Sequence, residues 1–452
     1  MDKLLEVREF DSIISNNDYK DDSKYKYLKE PIFNELIEFI HSFDGNGDTA
    51  DVLDFMRINY KRNIGDIITI RNYVGLVQID NGYQIHILPK ISFEKNDKDN
   101  EQTKRLFINM LRCMKDFPSK VFTDSQLKIS KMNLYEIFIN MYLQEVRKLV
   151  KHGLKSSYEV KEDNLHFYKG KLKVSEHIKE NKLHKERFYV EFDEYQVNRA
   201  ENRLVKAALL KLQKLSGSAE NLKEIRKLLT AFEMVEPSVN YQKDFSKVVI
   251  DRNTKEYEML IKWSKVFLLN KSFTTFSGKT KSRALLFPME KVFEAYVAKY
   301  IKLIFGQAGW EVSTQDKGRY LFDSPRKQFA LRPDIVIKKN DRVIIMDTKW
   351  KKLHDNERTN YGIAQSDMYQ MYAYSKKYNT PEIWLLYPVN DEMRNHDPIV
   401  FTGNDNVNVH VFFVDLANIE DNLDMLRQII EINYGQGMIP SKDISEDKAE
   451  VQ

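Results

Sequence analysis

Residues 332–350 read Arg332-Pro333-Asp334-Ile335-Val336-Ile337-Lys338-Lys339-Asn340-Asp341-Arg342-Val343-Ile344-Ile345-Met346-Asp347-Thr348-Lys349-Trp350. Two apolar runs flank Asn340-Asp341, residues that favour a tight two-residue turn, so the stretch reads as a β-hairpin. Pairing about that turn sets Lys339 opposite Arg342 and, at the far end, Asp334 opposite Asp347. Each carboxylate then lies at the margin of a hydrophobic strand, where burying an ionised acid is unfavourable unless something compensates it. Opposed side chains have Cβ atoms roughly 4.5–5.5 Å apart, close enough for two carboxylates to repel, and also to hold one divalent cation jointly. Strands alternate with period two, so Lys349 is expected on the face of Asp347, with Thr348 turned away. Two acids and an amine around Mg²⁺ suit phosphodiester hydrolysis, because the ion activates water and neutralises phosphate while the lysine serves the attacking water. The simpler alternative is three strand-end charges joined in a salt bridge; the matched register of the two acids weighs against it.

Outward from this hairpin the elements alternate. A helix is expected over about Met289–Phe305, strands near Trp310 and Tyr320, the two hairpin strands, a helix over about Ile363–Tyr378, and strands at Ile383–Tyr387 and Val409–Val414. That order describes a mixed sheet with helices on its faces. Gln370 and Tyr374 lie four apart and share a helix face. They are candidates for ordering the site, unless Tyr369, Tyr372 and Tyr374 simply cover the sheet. Glu294 on the earlier helix is a further candidate for the cation's surroundings, against the plain reading of a solvated helix charge. Lys349, Trp350, Lys351 and Lys352 form a basic and aromatic cluster suited to DNA backbone, or else a solvated strand end.

The preceding part is organised differently. Ile68–Ile91 reads as a hairpin about Asn81-Gly82, with Leu76 opposite Ile87 and with Val74, Leu76, Tyr83, Ile85 and Ile87 on one apolar face. Glu94–Lys104 reads as an exposed loop. Helices are expected over about Asn133–His152, ending at Gly153, then Asn198–Leu215, Leu222–Met234, and from Asp251 to Asn270. Lys271–Arg283 reads as a polar connector. The chain is therefore expected to be α+β and multidomain. It has a β-containing part over 1–130, a mainly helical middle over 131–275, an α/β domain with a mixed sheet over 276–435, and a mobile tail over 436–452.

Composition excludes several classes. In 452 residues, 42% hydrophobic and 31% charged content describes a folded, well-solvated chain, and a net charge of +4 confines any nucleic-acid affinity to local patches. A single cysteine, Cys113, allows no internal disulfide or Cys-rich zinc site, and reads as a small buried hydrophobe in a cytoplasmic protein. No apolar run is long enough for a membrane span or a secretory signal. Gly278-Lys279-Thr280 ends like a phosphate-binding loop, but Phe273 stands where the first glycine belongs. No histidine pair has His-x-x-x-His spacing, and no nucleophile-elbow motif is present.

With Arg332-Pro333-Asp334-Ile335-Val336-Ile337 and Ile345-Met346-Asp347-Thr348-Lys349-Trp350, the chain resembles McrC, the nuclease subunit of 5-methylcytosine-specific McrBC restriction systems. Tyr73-Val74-Gly75 through Ile87-Leu88-Pro89-Lys90-Ile91, Gly170, Arg199–Lys206 and Val292-Phe293-Glu294 extend the similarity from about Tyr73 to Val414. Gln370-Met371-Tyr372-Ala373-Tyr374 also matches the Gln-x-x-x-Tyr motif of RecB-like nucleases. The resemblance implies a PD-(D/E)XK restriction-endonuclease-like domain with Asp334, Asp347, Lys349, Glu294, Gln370 and Tyr374 in the catalytic site, and with Asp334, Asp347 and Thr348 at the metal. It implies Mg²⁺, with Mn²⁺ as a substitute, and double-stranded modified DNA as substrate. It also implies an McrB-type AAA+ GTPase partner that the N-terminal part binds and stimulates, so that GTP enters only through that partner. A non-catalytic subunit that only activates the motor, and an autonomous nuclease, are the alternatives.

Overall fold

The computed structural model describes residues 4–41, 55–79, 82–90, 101–115, 117, 134–269, 283–394 and 396–435. The chain divides into two compact units, Met1–Pro288 and Met289–Gln452. Among the described residues no helix is long and apolar enough to cross a membrane.

The first unit runs β1 (Leu4–Arg8), β2 (Ser12–Ile14), β3 (Tyr25–Tyr27), α1 (Glu30–His41), β4 (Met56–Lys61), β5 (Gly65–Ile70), β6 (Tyr73–Gln78), β7 (Gln84–Leu88), α2 (Glu101–Leu111), α3 (Leu134–His152), β8 (Ser157–Leu165), β9 (Lys171–Leu172), α4 (Val174–Glu180), β10 (Phe188–Gln196), α5 (Ala200–Leu215), α6 (Ala219–Thr230), α7 (Tyr241–Lys247), α8 (Tyr257–Leu269) and β11 (Arg283–Pro288). Its strands form three sheets, ordered β1-β7-β6-β11, β3-β2-β5-β4 and β8-β10-β9. Helices α3, α5, α6 and α8 pack on one another. Their core is aromatic: Trp263 meets Phe117, Phe138 and Phe267 at ring-centroid distances of 5.4, 6.1 and 5.6 Å.

Several expectations for this unit are corrected. Ile68 belongs to β5 in a different sheet, so the hairpin is β6–β7 alone. Its register is shifted by one residue: Gly75, not Leu76, opposes Ile87. Ile79 N–H donates to Tyr83 O, so three residues rather than two lie between the last bonded pair, and Gly82, the last of them, takes φ +81. Ile85 and Ile87 therefore share a face with Val77 and Ile79, while Val74 and Leu76 lie on the face of His86. Both faces are buried, and His86 is fully covered. Gly75 itself is required, since its φ is +135 and a Cβ there would stand 1.9 Å from the Leu285 carbonyl oxygen on β11.

The expected loop at Glu94–Lys104 turns helical from Glu101, residues 91–100 being outside the described set. Cys113 is half-buried, its thiol donating to Asn109 O, and is not a core residue. The middle region contains the long β8–β10 ribbon besides its helices. That ribbon exposes side chains on both faces, as at Val160 and Lys161, so it lacks an apolar period. The expected connector, its Gly278-Lys279-Thr280 and the expected tail lie outside the described residues, apart from Arg283. That residue begins β11, which pairs with β6.

The second unit runs α9 (Met289–Gln307), β12 (Glu311–Thr314), β13 (Arg319–Phe322), β14 (Gln328–Leu331), β15 (Ile335–Lys339), β16 (Arg342–Thr348), α10 (Gln365–Tyr378), β17 (Glu382–Pro388), β18 (Ile399–Thr402), β19 (Asn408–Val414) and α11 (Ile419–Gly435). Six strands form a mixed sheet in the order β12-β15-β16-β17-β19-β18, and β13–β14 is a separate hairpin. Strands β16, β17 and β19 are mutually parallel; the other pairings are antiparallel. Val336, Ile345, Ile383, Leu385, Val409 and Val411 form one core with Met371 and Tyr374 of α10. The alternate residues of β15 and β16, Ile335, Ile337, Ile344 and Met346, are equally buried. Helices α9 and α11 pack on each other and against β12, β16 and β19.

Candidate active site

The β15–β16 hairpin has the register read from the sequence: Lys339 opposes Arg342 and Ile335 opposes Met346. Asn340 takes φ +55 in the turn. Continued one step past the end of β15, that register sets Asp334 against Asp347, and the charge of Asp334 is felt at Asp347. Odd-numbered residues of β16 face α10, which brings Asp347 and Lys349 toward that helix. Lys349 Nζ lies 2.6 Å from Asp347 Oδ2 and donates to Gln370 Oε1 at 3.0 Å. Gln370 Nε2 in turn donates to the Tyr374 hydroxyl at 2.7 Å. The helix face carrying Gln370 and Tyr374 thus meets the strand carrying Asp347 and Lys349.

Two expectations for this region are corrected. Trp350, on the opposite face from Lys349, is 2% exposed and packs on Phe293 of α9 at 5.4 Å, so it is a core residue that no DNA can reach. Lys351 and Lys352 are partly exposed and pair with Asp367 and Glu392 at 2.7 and 3.6 Å. Thr348 does not turn away from the acids. Its backbone N–H and its hydroxyl both donate to Asp334 Oδ2, at 2.8 and 2.6 Å. These two bonds fix the Asp334 carboxylate just beyond the end of β15.

The electrostatics are those of charges kept from water. Burial first, then the charge of Asp334, push the Asp347 carboxyl up from 3.8 to about 7, against the pull of Lys349. Burial also raises Asp334, although the two Thr348 bonds oppose this. For Lys349, burial works against the ammonium, but Asp347, Asp367 and Asp334 hold its pKa above the ordinary lysine value. Glu294 is raised by burial and by Asp334. It accepts a hydrogen bond from Gln315 Nε2 at 2.9 Å.

Two contributors escape a reading of sequence. Gln315 adopts φ +48, donates its backbone N–H to Asp334 O at 2.8 Å and points its amide at Glu294, tying the two acidic positions together. A left-handed glutamine has no signal in sequence. The second is the Tyr387 hydroxyl, buried without a hydrogen-bond partner among the described residues, its pKa raised by burial first and then by the charges of Asp367 and Asp347. Its period-two placement on β17 was readable, but its functional neighbours were not.

A cation fits this arrangement. Asp347 Oδ2 is buried and ion-paired to the Lys349 ammonium at 2.6 Å, and Asp334 stands close enough for its charge to raise the Asp347 carboxyl. One ammonium against two desolvated carboxylates leaves net negative charge, which a further positive group would offset. Among the described residues there is no set of three His, Cys, Asp or Glu side chains arranged to enclose a metal. Mg²⁺ needs none, since one or two carboxylates together with waters and substrate phosphate commonly complete its shell.

The sequence profile of a family described as McrBC 5-methylcytosine restriction system component matches residues 68–388, from β5 through β17. All the residues of the site just described lie within that span. A chain of the Thermococcus gammatolerans half-complex of McrB AAA+ hexamers with bound McrC has a similar fold. Its TM-score is 0.68 at 20% identity, covering 94% of this chain and 100% of that one. A chain of the Thermococcus gammatolerans McrBC complex aligns with a TM-score of 0.48 and 21% identity, over 70% of this chain and 90% of that one. No curated protein sequence matches the chain.

Proposed function

The chain belongs to the family of McrBC 5-methylcytosine restriction system components, and from that premise we propose that its second unit is a Mg²⁺-dependent DNA endonuclease domain of the PD-(D/E)XK type. The observation behind this reading is a pair of desolvated aspartates, the charge of one raising the carboxyl of the other, with a lysine anchored 2.6 Å from Asp347. Asp334 and Asp347 would hold the ion, with Thr348 beside them. Bound there, Mg²⁺ supplies neutralisation of the scissile phosphate and a lowered pKa for water.

The rest of the work falls to side chains. Thr348 orients Asp334 through two donors. Lys349 remains charged, because three aspartates favour its ammonium, and so it aligns the attacking water and the phosphate by hydrogen bonding rather than by taking a proton. Gln370, braced by Tyr374, fixes the direction of that ammonium. Glu294, held by Gln315, adds negative charge at the margin of the ion site. The first unit contains no comparable constellation among its described residues, and we assign it to docking on an McrB-type AAA+ GTPase ring, which selects 5-methylcytosine-containing DNA.

The test is reconstitution with that GTPase. Asp347→Ala should abolish cleavage of methylated DNA while the chain still stimulates GTP hydrolysis. Cleavage that survives the substitution contradicts the nuclease assignment, and wild-type stimulation with no cleavage in Mg²⁺ or Mn²⁺ identifies a purely regulatory subunit.

A further inference from the structure

We propose that the β13–β14 hairpin is a DNA-contacting arm of the second unit, with Lys317, Arg326, Lys327 and Arg332 holding phosphates of a duplex and Phe322 and Phe329 meeting a base or deoxyribose face. The inference rests on the nuclease reading for its choice of partner, and names the surface by which that site would take its substrate. Between Asp316 and Arg332 stand five cations and two acids. Both acids are already engaged by α10: Asp316 accepts from the Tyr378 hydroxyl at 2.9 Å, and Asp323 pairs with Lys377 at 3.0 Å. Arg319 stacks 4.4 Å over the Tyr378 ring and bonds the Lys377 carbonyl. The hairpin is thereby strapped to the helix that carries Gln370 and Tyr374.

The other four cations are left over. Lys317, Arg326, Lys327 and Arg332 are exposed, and among the described residues none has a carboxylate within ion-pair distance. Lys327 meets only the Tyr320 ring, at 5.8 Å. Unpaired cations on one short element make a local positive field that the chain's small net charge would not suggest.

The aromatic pair is the second observation. Phe322 and Phe329 are 56% and 68% exposed, with ring centroids 5.9 Å apart. Phe322 lies opposite Gln328, so regular alternation would send Phe329 to the other face. Phe329 instead takes φ +57, a setting that bulky residues avoid, and its ring meets Phe322. Backbone strain is thus maintained to present two rings to water, which folding alone does not reward. Flat apolar faces rimmed by unpaired cations fit a polyanion with stackable bases. Position agrees as well: β14 leads through Arg332-Pro333 directly into Asp334, and the Arg332 backbone meets the Tyr374 hydroxyl.

Binding of a fluorescein-labelled methylated duplex to the full-length chain in EDTA, followed by anisotropy across a salt series, tests this without cleavage. Arg326→Ala/Lys327→Ala should weaken binding and reduce the slope of log affinity on log salt by about 2. Phe322→Ser/Phe329→Gly should weaken it roughly 5- to 150-fold with the slope kept, and should melt no lower than wild type, because the strain is relieved. Unchanged affinity and slope in both variants, or no measurable wild-type binding, overturns the proposal. So does loss of GTPase binding or of self-association with DNA affinity intact, which would make the arm a protein interface. Either result leaves cleavage by the wild-type complex to be judged separately, whereas cleavage surviving Asp347→Ala sinks the nuclease reading and not the arm.

Discussion

Replacing Asp347 with Asn should stabilise the protein where a catalytic acid is most expensive to hold. In the folded chain its carboxyl titrates at about 7 rather than 3.8, so the folded state keeps a proton that the unfolded chain has already lost. Stability from this group is complete below the unfolded value and is lost as pH rises through about 7. At roughly 1.36 kcal/mol per pH unit, the shift represents about 4 kcal/mol of destabilisation above neutrality in the absence of a cation. Asparagine keeps the shape and cannot ionise. The attraction of Lys349, 2.6 Å away, already offsets part of the burial cost within that figure. The gain at pH 8 in EDTA is therefore about 4 kcal/mol, raising the melting temperature of this unit by roughly 8–16 °C. At pH 4 the gain should vanish. Calorimetry of wild type and Asp347→Asn at both pH values checks the difference. A variant that melts below wild type at pH 8 in EDTA would refute the argument from desolvation.

Lys349→Met should lower cleavage by the reconstituted complex about 10²–10³-fold while leaving GTPase stimulation intact, as measured by single-turnover kinetics. Gln315→Ala should weaken divalent-cation affinity several-fold by calorimetric titration. Gln315→Gly should weaken it less, since the backbone bond to Asp334 O is kept and φ +48 is easier for glycine. Gly75→Ala should unfold or severely loosen the first unit, because its Cβ meets the Leu285 carbonyl at 1.9 Å; hydrogen exchange should report the loss on β6 and β11 with the second unit still protected.

How much of this was legible depended on how each residue reports its surroundings. The β15–β16 register could be read because Asn340-Asp341 is flanked by unbroken apolar runs, and one fixed turn then fixes every pair. The β6–β7 register could not, since Asn81-Gly82 does not reveal whether Gly82 closes a two- or a three-residue loop, and one residue of slip exchanges the faces. Period two, carried one residue further, would have sent Trp350 into the core. The β8–β10 ribbon was hidden because neither of its faces is consistently apolar. Helix α11 is absent from the elements expected above, although Ile419, Leu423, Leu426 and Ile430 stand at helical spacing along its buried side. Thr348 and Gln315 act through backbone geometry at strand ends, which side-chain pattern does not encode.

The account depends on where a divalent ion binds. Crystals of the full-length chain grown with Mn²⁺ should give an anomalous density peak in contact with carboxylate oxygens of both Asp334 and Asp347, and none at that position in Asp347→Asn. A peak bound elsewhere, or one aspartate turned away from it, would contradict the account.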